Sequence, residues 1–265
     1  MAKKKKKVTT TVTKTVTVET IPSNEKTQII CILDRSGSMS SIMSDSIGGF
    51  NTFLKQQKEL PDEATLTVAL FDDKYELLYD DVDIKEVKDI TTKEWYPRGV
   101  TALYDAIGKT INNVKANHTR LGSERPAKVL VCIVTDGYEN ASKEYHLNDV
   151  EKLIKKCERD DWNFIYLAAN QDAFDVGQSF GISGRNTYTY TASTDGVFNM
   201  SNTLTSAVVN YRSMSSSDKN FKKMSKLLID DVKDEPKDSD DITIGNTSGT
   251  ITTTDGTNTV TLDDK

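Results

Sequence analysis

Two unbroken apolar runs stand out along the chain, Ile29-Ile30-Cys31-Ile32-Leu33 and Val129-Leu130-Val131-Cys132-Ile133-Val134. Such runs suit strands buried on both faces. After the first run the apolar period lengthens: Met43, Ile47, Phe50 and Leu54 stand four, three and four residues apart and share one helical face. The same signature recurs in Leu103, Ile107, Ile111 and Val114, in Val150, Leu153 or Ile154 and Cys157, and in Val197, Met200, Leu204, Val208 and Tyr211 between about Gly196 and Arg212. Further strands are expected over Thr65–Phe71, Tyr75–Tyr79 and Asn163–Ala169, with a half-exposed edge strand at Tyr188–Thr191 and a short helix around Phe174-Asp175-Val176. The turn Asp72-Asp73-Lys74 is too short for a parallel crossover, so the strands on either side of it should form an antiparallel hairpin at a sheet edge. Strands alternating with helices predict an α/β fold: a doubly wound, mostly parallel six-stranded sheet with helices on both faces.

The two ends of the chain have a different texture. Lys3 to Lys7 precede a stretch in which threonine interrupts every valine, and Val8, Val12, Val16 and Val18 share one parity. That pattern fits a strand with one dry face and equally a solvated tail, but not the continuous apolar segment of a signal peptide. Beyond Arg212 the composition shifts to Ser, Asp, Lys and Thr. Residues 230–265 hold ten acids against three lysines, whereas residues 1–26 hold seven lysines against two glutamates; such opposite blocks read either as solvated tails or as ends that attract one another. An Asp255-Gly256 turn would set Ile251 opposite Val260 in a hairpin. The expected organisation is a basic, Thr/Val-rich extension over 1–24, one α/β domain over 25–213 and an acidic, Thr-rich extension over 214–265. A small accessory β element built from both ends, with Val8–Val18 pairing against 242–262, goes with it.

Composition narrows the function. A net charge of −6 and a pI near 5.1 argue against a general nucleic-acid binder, and no stretch approaches the ~20 apolar residues of a membrane-spanning helix. Cys31, Cys132 and Cys157 are too few and too internal for a disulfide framework and read as reduced core thiols. No G-x-x-x-x-G-K-[ST] run is present, which removes the P-loop. A serine nucleophile would need a base, and the two histidines, His118 and His146, fall late in one helix and at the start of another. A phosphorylated Asp34 would want a second acid where Ser36 stands. The chain is expected not to be an enzyme.

The chemistry concentrates where the apolar runs end. The first gives way to Asp34-Arg35-Ser36-Gly37-Ser38, with Ser40 or Ser41 placed to cap the next helix. The second ends in Thr135-Asp136-Gly137, and Arg98-Gly99-Val100-Thr101 sets another hydroxyl at a helix start. Two such strand ends side by side stand ~5 Å apart, so three loops converge with oxygen atoms. The sequence here resembles the von Willebrand factor type A domain over roughly residues 25–213. Asp34-x-Ser36-x-Ser38, Thr101 and Asp136 resemble its metal-ion-dependent adhesion site (MIDAS), and LDRSGSMS, YPRGVTALYDAIG and TDGYENAS resemble small bacterial and phage proteins of that family.

That resemblance implies a metal-dependent protein-binding module. Asp34, Ser36, Ser38, Thr101 and Asp136 would hold Mg²⁺ or Mn²⁺, and with few charges facing the ion it keeps affinity for a partner's Asp or Glu carboxylate. It also implies that both chain ends leave at the pole opposite the metal. Arg35 and Arg98 read as ordinary surface arginines, with added positive charge at the rim as the alternative; Asp105 reads as a favourable charge at a helix amino end before a metal role, and Glu139 and Asn140 as residues behind the ligands or at the rim, outside the ligand set. The expected setting is the cytoplasm of a bacterial or phage-infected cell, with a virion-associated position as a second one. The alternative function is a structural or virion-associated protein whose terminal extensions make the assembly contacts, the metal site being secondary.

Overall fold

The structure, a computed structural model, describes residues 25–218, 221–225 and 228–229. The basic extension 1–24 and the expected pairing of Val8–Val18 with 242–262 lie outside the described residues. In chain order the elements are β1 (Thr27–Asp34), α1 (Met43–Lys58), β2 (Ala64–Phe71), β3 (Tyr75–Asp83), α2 (Leu103–Leu121), β4 (Lys128–Thr135), α3 (Leu147–Arg159), β5 (Trp162–Ala169), α4 (Ala173–Ser179), β6 (Thr187–Tyr190) and α5 (Thr194–Ser213).

One six-stranded sheet runs β3-β2-β1-β4-β5-β6, parallel throughout except for the β2–β3 hairpin at one edge. Every residue of β1, β2, β4 and β5 is buried, as their apolar sequences require of strands covered on both sides. Alternate side chains then divide between two cores. Ile29, Cys31 and Leu33 join α1 and α5, which contribute Phe50, Leu54, Leu204 and Val208. Ile30 and Ile32 join α2 and α3, which contribute Ile107, Ile111, Val150 and Ile154. All the apolar helix positions singled out by period are buried except Leu153, which yields the place to Ile154. The three cysteines are free and buried.

Three features depart from the sequence pattern. β3 extends to Asp83, four residues past the expected end, because a bulge near Asp81 (φ 55°) lets pairing resume at Leu66–Val82. The connection from β3 to α2 has no regular period yet is pinned by buried Ile84, Val87, Ile90 and Trp95. Asn51 on α1 ties it down through two bonds with the Ile90 backbone, both 2.9 Å. Packing also runs on past Ser213: the Glu25 carboxylate accepts Ser216 N–H and Oγ–H at 2.7 Å, Phe221 stacks against Tyr211, and Leu228 and Ile229 are fully buried. Among the described residues no helix is long and apolar enough to cross a membrane.

Candidate functional site

β1 and β4 are neighbours, with Leu33 opposite Val134, and the winding reverses between them because β2 and β5 lie on their outer sides. In a doubly wound sheet the crevice beyond the carboxyl ends of such strands is the open place for a ligand. Asp34 and Asp136 emerge there.

Asp34 is fully buried at the root of the first loop, where Oδ1 accepts the Ser36 N–H at 2.6 Å and Oδ2 accepts the Thr135 hydroxyl at 2.6 Å. Ser36 is the N-cap of a 3₁₀ turn, Gly37–Ser41, but its hydroxyl is not spent on the cap. It meets Ser38 Oγ at 3.0 Å, and Ser38 Oγ donates to Asp136 Oδ1 at 2.6 Å. A Cβ built on Gly137 would stand 3.2 Å from Thr101 Oγ1 and 3.4 Å from Ser38 Oγ, so both hydroxyls flank the one residue of that turn that has no side chain. The structure thus brings all five expected residues to one place. Ser40 and Ser41 do not cap α1: they lie within the 3₁₀ turn, Ser40 Oγ donates to Gly37 C=O, and Ile42 occupies the N-cap.

The loops are stitched together through their backbones. Gly37 N–H donates to Gly99 C=O at 3.1 Å and Arg98 N–H to Arg35 C=O at 2.8 Å, which joins the first loop to the second. Thr101 is held from three sides: its N–H donates to Asn140 Oδ1 at 2.9 Å, and its C=O accepts the N–H groups of Asn140 at 3.0 Å and Ala141 at 3.2 Å. Gly99 has φ of 67°, a left-handed conformation that suits glycine, and the Asp73 side chain fills the space a Cβ would take. Trp95 closes the floor by donating Nε1–H to Asp34 C=O at 2.9 Å.

The charges around the site follow a clear division. Burial pushes the Asp34 carboxyl up to about 6, against the opposing pull of its bonds from Thr135 and Ser36, and raises Asp136 likewise against the bond from Ser38. Among the described residues neither carboxylate meets a lysine or arginine within ion-pair distance. The nearby arginines are committed elsewhere. Arg35 is not a surface residue: its side chain is buried, with Nε 3.3 Å from Asp72 Oδ2 and Nη1 2.6 Å from Glu76 Oε2, and Arg98 reaches the same Asp72 oxygen. Glu139 spends both oxygens on its own loop and on α2, accepting N–H groups from Tyr104, Ala141 and Ser142. Asp105, where burial alone would raise the carboxyl, lies below the usual range because the N–H groups of Lys143, Glu144 and Tyr145 outweigh it.

Two carboxylates and three neutral hydroxyls make an all-oxygen set, the kind a hard divalent cation takes. It differs from a site built on three or more His, Cys, Asp or Glu side chains, and no such group occurs among the described residues. Asn140, expected behind the ligands or at the rim, holds the Thr101 backbone; sequence reasoning missed Thr135, Asp72 and Trp95. Only Thr135 had a signal, its place directly before Asp136.

No protein-family model matches the sequence, and neither does any curated protein. Solved structures do match. The PilB minor pilin from Streptococcus sanguinis superposes with a TM-score of 0.55 at 10% identity, over 73% of this chain and 63% of the pilin. The manganese-loaded TRAP protein of Plasmodium vivax superposes with a TM-score of 0.50 at 16% identity, over 67% of this chain and 71% of that one. Proximal thread matrix protein 1 from the mussel byssus has a TM-score of 0.46 at 16% identity; this chain covers 46% of it, about half its length. The chain has the von Willebrand factor type A fold.

Proposed function

We propose that this protein is a divalent-cation-dependent protein-binding module, in which Asp34, Ser36, Ser38, Thr101 and Asp136 hold Mg²⁺ or Mn²⁺ and a partner protein supplies an Asp or Glu carboxylate. The observation that carries the reading is the pair of buried carboxylates, Asp34 and Asp136, bonded to hydroxyls and an N–H group but to no cationic side chain, beside the Thr101 and Ser38 hydroxyls. A bound cation supplies the charge this pocket lacks, and the ion's remaining affinity for an anion gives the partner its anchor. The residues of the chain do the rest: Asn140 fixes Thr101, Thr135 and Ser36 orient Asp34, and Trp95 seals the floor. Manganese in the TRAP protein is consistent with a cation on this fold. Binding is favoured over hydrolysis because the His118 ring bonds to Gln28 near the start of β1, at the far end of the strand from Asp34, and His146 is occupied as the N-cap of α3. A bacterial or phage setting rests on the phrase-level resemblance of the three loops.

Calorimetry with Mn²⁺ tests the reading. Asp34→Ala and Asp136→Ala should each weaken binding by more than about 100-fold, and EDTA should leave the near-UV circular dichroism of the wild type unchanged, since the site caps a sheet that is already buried. Unchanged affinity in both variants would refute the assignment.

A further inference from the structure

Among the described residues five large apolar side chains are exposed, and four of them stand at the site's end of the sheet: Tyr96 at 39%, Val100 at 51% and Tyr138 at 62% on loops, and Phe174 at 49% in the first turn of α4. The placement follows from the chain itself. Val100 precedes Thr101, Tyr138 follows Gly137, and Tyr96 lies under the Arg98 guanidinium, which donates to its hydroxyl at 2.9 Å. Phe174 opens α4, whose preceding Gln171 donates Nε2–H to Gly137 C=O at 3.1 Å. Isolated exposed apolar residues need no explanation, but a group gathered around one polar pocket marks a contact surface.

The charge on this rim narrows the partner. It is not basic: Asp73 and Lys74 share one turn, Asp172 and Asp175 flank Phe174, and the Arg98 guanidinium is held by Asp72. Lys143, on the loop after Tyr138, is followed by Glu144, so among the described residues a polyacidic segment, or a lipid headgroup carrying several negative charges, finds the proposed cation and no run of lysines or arginines on these loops. We infer that the partner presents a single carboxylate flanked by apolar side chains, the carboxylate entering the pocket and its neighbours covering Val100 and Tyr138. This inference rests on the metal-dependent reading of the same site and names the chemistry of what that site selects.

The test uses the full chain and NMR titration with capped peptides of equal length. One carries a single Asp between leucines and valines, a second the same Asp between glycines and serines, a third Asn in place of the Asp of the first, and a fourth only Asp. In Mn²⁺-free buffer with Mg²⁺, the first should bind about tenfold tighter than the second and the fourth. The third should not bind, and EDTA should abolish all binding. Val100→Ser with Tyr138→Ser, both exposed and away from the packed cores, should reduce the first peptide to the affinity of the second while leaving calorimetric Mn²⁺ affinity unchanged. Equal, metal-dependent binding of the first, second and fourth peptides overturns this inference and leaves the metal reading standing. Absence of binding, or binding indifferent to EDTA, overturns both.

Discussion

Both poles of the sheet bury charge, and they treat it in opposite ways. At the amino ends of the strands Lys128 is buried at the start of β4, and its Nζ donates to the carbonyls of Arg212 at 2.6 Å and Met214 at 2.7 Å, where α5 runs out of helical partners. Arg212 in turn donates to Asp62 Oδ2 and C=O and to Gln57 C=O, at 2.7 to 2.8 Å. Each cation there faces oxygen atoms supplied by the chain. At the carboxyl ends Asp34 and Asp136 are just as enclosed, but hydroxyls and an N–H group are what they meet. A buried cation met by carbonyls or a carboxylate of its own chain is structural, whereas a buried carboxylate that meets only hydroxyls and an N–H group is left without a cation. The contrast sets a pole whose buried cations the chain itself satisfies against the pole where the proposed cation would act.

The largest expected effect breaks the closed pole. Arg212→Met removes a buried cation from Asp62 and Gln57 and should cost about 3–5 kcal/mol in urea unfolding, while Mn²⁺ affinity stays within about twofold, because independent sites far apart add. A loss below about 1 kcal/mol would show that the Arg212 network contributes little and that the contrast between the poles is not one of stability.

A smaller effect sharpens the open pole. Asn140 touches no expected ligand side chain, yet its Oδ1 holds the Thr101 N–H. Asn140→Ala should weaken Mn²⁺ binding about tenfold by letting Thr101 drift, with a stability loss near 1 kcal/mol. The two readouts separate a positioning role from a general one: equal Mn²⁺ affinity with reduced stability would make Asn140 merely a loop fastener.

How much of this was legible in the sequence depended on whether the determinant was periodic. The buried strands, the helix faces and the β2–β3 hairpin follow from apolar spacing, and the site loops follow from what stands directly after β1 and β4. Trp95 and the segment around Ile84–Ile90 were not legible, because that connection buries side chains without any repeat. The burial of Arg35 was hidden for another reason. A charged residue on a loop reads as exposed, and only the folded hairpin carries Asp72 and Glu76 to it. The packing of Phe221, Leu228 and Ile229 was likewise masked by the polar composition that begins after Arg212.

The smallest expected effect returns to the closed pole and concerns protons. His118 on α2 donates Nε2–H to Gln28 Oε1 at 2.6 Å and lies edge-on to the Trp162 ring. Burial lowers its pKa; Arg125 and Lys115 lower it further, and Asp81 opposes them. Between that lowered value and the unfolded value of about 6.5, the unfolded chain binds the extra proton, so stability rises with pH across the interval. His118 therefore contributes its full share above about pH 6.5 and loses it as pH falls through the folded value. His118→Gln should flatten the acid limb of urea-unfolding free energy between pH 7 and pH 5 relative to the wild type, after subtracting the constant cost of the altered bond to Gln28. Parallel limbs in the two proteins would mean that the buried imidazole does not set the acid limb; Asp34 cannot supply it either, because a carboxyl that burial raises to about 6 takes up its proton in the folded chain first and so favours folding as pH falls.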